Sequence, residues 1–248
     1  MFYLRILLAS IVLVNSAYAK PVKNAHIDPS GEQQKIMVAV NHVLEANSDF
    51  VKQHSKRYFL PFIKGQTPKA TVLGCADSRV HSHAIDPHPD GDLFFVRNIG
   101  NQLEPVRGSI EYGVRHLHTP LLLVLGHTMC GAVRAAMEDY SDMSPAIKTE
   151  LDNLHVPHGD PDNAYLVLDS VEHNVNHQIE EAMSFFAEEL QQQKLIIIGA
   201  IYDFRNDYHH GYGRLVIINV NGSNNAADIK EVLSFSGKKA SKDIFIKK

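Results

Sequence analysis

The stretch that most limits the fold of this 248-residue chain is Pro120 to Gly131, PLLLVLGHTMCG. Five consecutive apolar residues, Leu121 to Leu125, make the short unbroken run expected of a strand buried on both faces, which is the signature of a parallel sheet. Gly126 is expected to end the run, and His127 and Cys130 follow as the chain leaves the strand. An imidazole and a thiol are thereby delivered to the carboxyl end of a central strand, where open α/β sheets build their sites. A second apolar run, Ala70 to Gly74, delivers Cys75, Asp77 and Arg79 in the stretch CADSR. Thiolates from two strand ends and one imidazole can meet on a single soft metal ion.

The elements between these runs support an α/β reading, with strands separated by helices. Ile36, Val40, Val43, Leu44 and Phe50 recur at roughly helical spacing and predict one or two amphipathic helices from Glu32 to about Leu60. That arm is too small to fold alone and is expected to pack on the main body or on a neighbouring subunit. Leu93 to Val96 predicts a further strand. Ser109 is read as the cap of a helix running to about His118. Ala132 to Tyr140 and Ala146 to Leu154 are read as short helices. The longest helix is expected over Ala164 to Gln192, with Leu166, Val171, Val175, Ile179, Met183 and Phe186 as its buried stripe. Leu195 to Ile201 and Leu215 to Val220 predict two more strands joined by a polar turn, and Ile244-Phe245-Ile246 an edge strand. Tyr202-Asp203 reads as packing and turn chemistry.

At the amino terminus Arg5, the apolar stretch Ile6 to Val14 and the small-x-small triplet Ala17-Tyr18-Ala19 read as a secretory signal cleaved after Ala19. The apolar run is shorter than the ~20 residues of a spanning helix, so no lasting membrane anchor is expected. The expected organisation is a signal peptide over 1–19, a helical arm over 20–62 and a catalytic α/β domain over 63–248, in a periplasmic or secreted protein. A net charge of −4 gives no reason to expect nucleic acid as a partner.

Export sharpens the question of the two cysteines. Alone, they suit a Cys75–Cys130 disulfide in a binding module as well as they suit a metal. Their company favours metal, because a structural disulfide has no use for His127, Asp77 and Arg79 beside it. A Cys₂His set leaves zinc a fourth position for water. Among the other histidines, His173 and His177 fit a solvated helix face, His209-His210 a surface turn, and His81, His83 and His88 a loop near the site. No G-x-G-x-x-G or P-loop follows a strand, which argues against a nucleotide site.

The blocks CADSRV (Cys75–Val80), GDLFFVRNIGN (Gly91–Asn101), SIEYGV (Ser109–Val114) and GHTMCGAV (Gly126–Val133) resemble, in order and spacing, the β-class carbonic anhydrases. The resemblance implies a mostly parallel central sheet flanked by helices, with an N-terminal helical arm. It implies one zinc ion per chain on Cys75, His127 and Cys130, with Asp77 and Arg79 as a catalytic dyad. GQTPK at Gly65–Lys69 resembles the plant-like branch, in which Gln66 would bind substrate, and Phe94, Ile99, Tyr112 and Gly131 would form the carbon dioxide pocket. His116 matches a position suspected of proton shuttling. The activity implied is reversible hydration of carbon dioxide to bicarbonate, in a homodimer or higher homo-oligomer. Hydrolysis of carbonyl sulfide or carbon disulfide is the alternative on the same scaffold.

Two departures bear on the site. Val80-His81-Ser82 replaces the proline-bearing forms familiar after the arginine. The chain also has no tryptophan, whereas the bicarbonate-inhibited branch uses one in a regulatory pocket and lets the aspartate close onto zinc. An open site with Asp77 paired to Arg79 is therefore expected. Two thiolates also cancel the dication's charge, so the metal's water should lose its proton less readily than at an all-imidazole site, with activity rising into mildly alkaline pH.

Overall fold

A computed structural model of the chain describes residues 31–234 and 245–247; the signal peptide expected over 1–19 lies outside them. The described residues divide into two units between Pro61 and Phe62. The first holds helix α1 (Glu32–Gln53) and the short α2 (Lys56–Phe59). Nothing on α1 is buried: Ile36, Val40, Val43, Leu44 and Phe50 all stand exposed.

The second unit is built on six strands: β1 (Ala70–Cys75), β2 (Leu93–Asn98), β3 (Leu121–His127), β4 (Ile196–Asp203), β5 (Arg214–Val220) and β6 (Phe245–Ile246). Their order is β2-β1-β3-β4-β5-β6, and every pairing is parallel except β4 with β5. The expected mostly parallel sheet is present, and the strand over Phe245–Ile246 does pair at its edge. Helices α3 (Arg107–Glu111), α4 (Gly131–Ala136), α5 (Pro145–Leu151), α6 (Ala164–Phe185), α7 (Ala187–Gln191) and α8 (Ala226–Ser234) connect the strands or follow them.

β1 and β3 are the inner strands that carry the chemistry. Alternation along them divides the core. Leu73, Leu122 and Val124 face one layer with Val171, Val175 and Ile179 of α6, while Val72, Leu123 and Leu125 face the other with Val80, Ala200 and Tyr202. Two glycines let α6 lie close on the sheet. A Cβ on Gly126 would stand 2.7 Å from Val175 Cγ2, and one on Gly199 2.4 Å from Ile179 Cδ1. Gly126 therefore does not end β3 as expected. It is the contact point for α6, and the strand runs on through His127.

Other boundaries also differ. The helix expected to start at Ser109 starts at Arg107 and passes into a π-helical turn, Tyr112–His116, so Ser109 is not its cap. A Cβ on Gly113 in that turn would meet Thr71 Oγ1 at 2.1 Å, so the turn sits against β1. The helix expected to Tyr140 stops at Ala136. The long helix breaks at Phe186, whose ring is fully buried, and Leu166 of the expected stripe is exposed while Val167 takes the buried position. Tyr202 and Asp203 belong to β4 rather than to the turn after it. Asp203 does serve that turn, since its carboxylate accepts from the backbone N–H groups of Asp207 and Tyr208. Helix α8 had no counterpart in the sequence reading.

Candidate metal centre

The parallel register Gly74↔Leu125 sets the end of β1 beside the end of β3. Cys75 closes β1, His127 closes β3, and Cys130 precedes α4 as its capping residue. Met129 lies in the left-handed region at φ 51°. This conformation is uncommon for a side chain larger than glycine and is kept only where the surroundings over-determine it. It turns the chain between the imidazole and the second thiol.

One ligand atom from each of Cys75, His127 and Cys130 lies within 4.8 Å of the others, and all three residues are buried. The two sulfurs are 3.9 Å apart and both cysteines are free, so the disulfide alternative is not what the chain adopts. Cys75 Sγ accepts from the Gly100 N–H at 3.4 Å and the Asp77 N–H at 3.5 Å. The contact with Cys130 draws the Cys75 thiol down to about 4, against the effect of burial. Cys130 is pushed well up by the same contact and by burial, against the pull of the Val133 and Ala132 N–H groups.

His127 supplies the most telling detail. Its Nδ1 faces the Thr128 carbonyl at 3.1 Å, so Nδ1 carries the proton. Nε2 is buried and has no hydrogen-bond partner. A bare nitrogen lone pair sealed beside two sulfurs is costly unless something occupies the space between them. Two soft thiolates and one imidazole fit a zinc ion and not magnesium or calcium.

Beside this trio stands a carboxylate held by a guanidinium. Arg79 donates from Nε to Asp77 Oδ1 at 2.8 Å and from Nη2 to Asp77 Oδ2 at 2.6 Å, and its backbone N–H adds a third bond to Oδ1. Arg79 Nη2 also donates to the Met129 carbonyl at 3.1 Å, tying the two strand-end loops together. The pairing with Arg79 keeps the Asp77 carboxyl well below the usual carboxylate range. Asp77 Oδ2 lies 3.8 Å from His127 Nε2, so the dyad borders the trio.

A family model for carbonic anhydrase matches residues 70–209, which contain both strand ends and every residue of the trio and the dyad. The chain belongs to the carbonic anhydrase family. A relative from Mycobacterium tuberculosis, carbonic anhydrase 2, is 49% identical over 79 residues, 32% of this chain and 38% of that protein. The match therefore spans well under half of that relative's length. A chloroplastic β-carbonic anhydrase from Arabidopsis thaliana is 26% identical over 237 residues, covering 77% of this chain and 75% of its own. Among solved structures, a tetrameric β-carbonic anhydrase from Sordaria macrospora superposes with a TM-score of 0.57 at 25% identity, over 66% of this chain and 92% of that one.

The remaining expected site residues are distributed unevenly. Phe94 and Tyr112 approach each other, with ring centroids 5.9 Å apart, and the Tyr112 and His116 rings lie tilted at 31° with centroids 4.5 Å apart. Tyr112 is 44% exposed. Ile99 packs with the cluster of Ala136, Leu151 and Leu154 instead. Gln66 is exposed in the loop before β1, and Gly131 opens α4 with free space where a Cβ would be. The sequence reading missed the Met129 and Thr128 carbonyls, the Gly100 N–H and the ring of Phe204. That ring lies nearly parallel to His127 at 6.0 Å and beneath the Arg79 guanidinium at 4.8 Å.

Proposed function

We propose that the chain catalyses the reversible hydration of carbon dioxide to bicarbonate at one zinc ion held by Cys75, His127 and Cys130. The observation that carries this reading is the buried, partnerless Nε2 of His127 beside two free sulfurs, bordered by a carboxylate that a guanidinium keeps ionised. When bound, zinc supplies a Lewis acid that makes water a competent nucleophile near neutral pH.

The chain's own groups do the rest. Held as a carboxylate, Asp77 can only accept hydrogen bonds, so it fixes the orientation of a reacting water and leaves the oxygen's remaining lone pair for the carbon of carbon dioxide. It is too weak a base to keep the proton, which must pass to solvent or buffer, with His116 as the side chain offered for relay. Phe94 and Tyr112 supply the apolar wall for carbon dioxide, and Gln66 would steady a product oxygen. These roles follow the plant-like branch, a placement supported by the GQTPK motif and the absence of tryptophan.

The amino-terminal signal pattern supports export to the periplasm or beyond. The exposed apolar stripe of α1 supports a homodimer or higher homo-oligomer, in which a second copy covers that stripe. The test of the reaction is stopped-flow hydration of carbon dioxide by the zinc-loaded protein and by Asp77→Asn. The wild type should be active, and the variant should lose roughly 10²-fold in kcat with zinc retained. A zinc-loaded wild type that does not hydrate carbon dioxide would overturn the reading.

A further inference from the structure

We propose that Phe204 is a positioning residue for the hydration reaction, a single ring that backs both the Arg79 guanidinium and the His127 imidazole. The inference rests on the function proposed above. Phe204 follows β4 directly, and the register His127↔Tyr202 carries it past the end of β3 to the open end of the site. The Arg79 Cζ lies 4.8 Å from the ring centroid, within cation–π range. The His127 ring lies 6.0 Å away at an interplanar angle of 27°. Phe204 is itself braced edge-on by Tyr202 at 5.8 Å, and the Tyr202 hydroxyl reaches His81 Nε2 at 3.4 Å.

The arrangement answers a problem in the dyad. The Arg79 side chain is 48% exposed, and an ion pair so open to water contributes little rigidity by itself. Its hydrogen bonds to Asp77 and Met129 define the plane of the fork, but bonds in that plane do not stop the guanidinium from tilting out of it. A π face beneath the fork does. Because the same ring lies against His127, the carboxylate that Arg79 holds is kept in fixed relation to the metal-binding nitrogen. Apolar bulk alone at this position would fill space without holding the guanidinium.

The test compares Phe204→Leu, which keeps most of the volume, with Phe204→Tyr, which restores the ring. Each is measured with one zinc per chain for carbon dioxide hydration and by NMR of the Arg79 Nε–H. In the wild type that proton should show a nuclear Overhauser contact to the Phe204 ring protons. In Phe204→Leu that proton should move downfield from its wild-type position as ring shielding is lost, exchange with water should quicken, and kcat should fall roughly fivefold with KM little changed. Phe204→Tyr should recover both readouts. The proposal is overturned if Phe204→Leu keeps wild-type kcat, if Phe204→Tyr is as impaired as Phe204→Leu, or if the wild-type Arg79 Nε–H shows no nuclear Overhauser contact to the Phe204 ring. The last measurement needs no variant and stands even if Phe204→Leu does not fold. Loss of hydration in the zinc-loaded wild type would sink the functional reading as well, whereas an active wild type matched by Phe204→Leu would sink this inference alone.

Discussion

Cys75, His127 and Cys130 come from the ends of β1 and β3, and Asp77 with Arg79 from the loop after β1, but the two groups are held in opposite ways. The three donors are buried and fixed by sheet register, backbone N–H groups and the Thr128 carbonyl. The dyad stands at the rim, with Arg79 half exposed, and is held by its own hydrogen bonds and by one aromatic ring. Disturbing the donors should therefore destroy the centre, while disturbing the dyad should detune it.

The largest expected effect is from His127→Ala, which should abolish stoichiometric zinc and lower hydration by roughly 10³-fold or more. Retention of one zinc per chain by this variant, or loss of zinc from Asp77→Asn, would break the contrast. Next is removal of the metal. The free sulfurs stand 3.9 Å apart, and a small approach brings them to the ~2.05 Å of a disulfide. Protein chelated in air should stay inactive when zinc alone is returned and recover only after a thiol reductant; full recovery with zinc alone would contradict this.

The smallest effect separates the dyad by pH. Arg79 lowers the folded-state pKa of Asp77, so the pair's contribution is complete above the unfolded carboxyl value of about 3.9 and is lost as pH falls through the lower folded value. Because Arg79 is half exposed, that contribution is about 1 kcal/mol or less. Wild type should therefore melt slightly above Arg79→Gln at pH 6, and the gap should close below about pH 4. A gap that widens on acidification would show that the pairing is not what Arg79 supplies to stability.

What the sequence made legible follows the same division. The unbroken apolar runs of β1 and β3 located the donors because a strand buried on both faces leaves little freedom in where its end falls. The dyad was readable because Asp77 and Arg79 lie two residues apart in one loop. Phe204 was not, because its partners Arg79 and His127 are distant in sequence and meet it only through the pairing of β3 with β4. Gly126 misled for a related reason: a glycine reads locally as a breaker, while here it admits Val175 of α6. Two helices of equal length make the limit plain. Both α1 and α6 span 22 residues with an apolar stripe, yet nothing on α1 is buried while α6 buries Val171, Val175 and Ile179 against the sheet. Periodicity gave the helix in each case but not what lies against it.

Zinc K-edge X-ray absorption of freshly purified, catalytically active protein tests the central claim most directly. The account predicts two sulfur scatterers near 2.3 Å and two nitrogen or oxygen scatterers near 2.0 Å, at one zinc per chain. A shell without sulfur, or active protein containing no zinc, would contradict it.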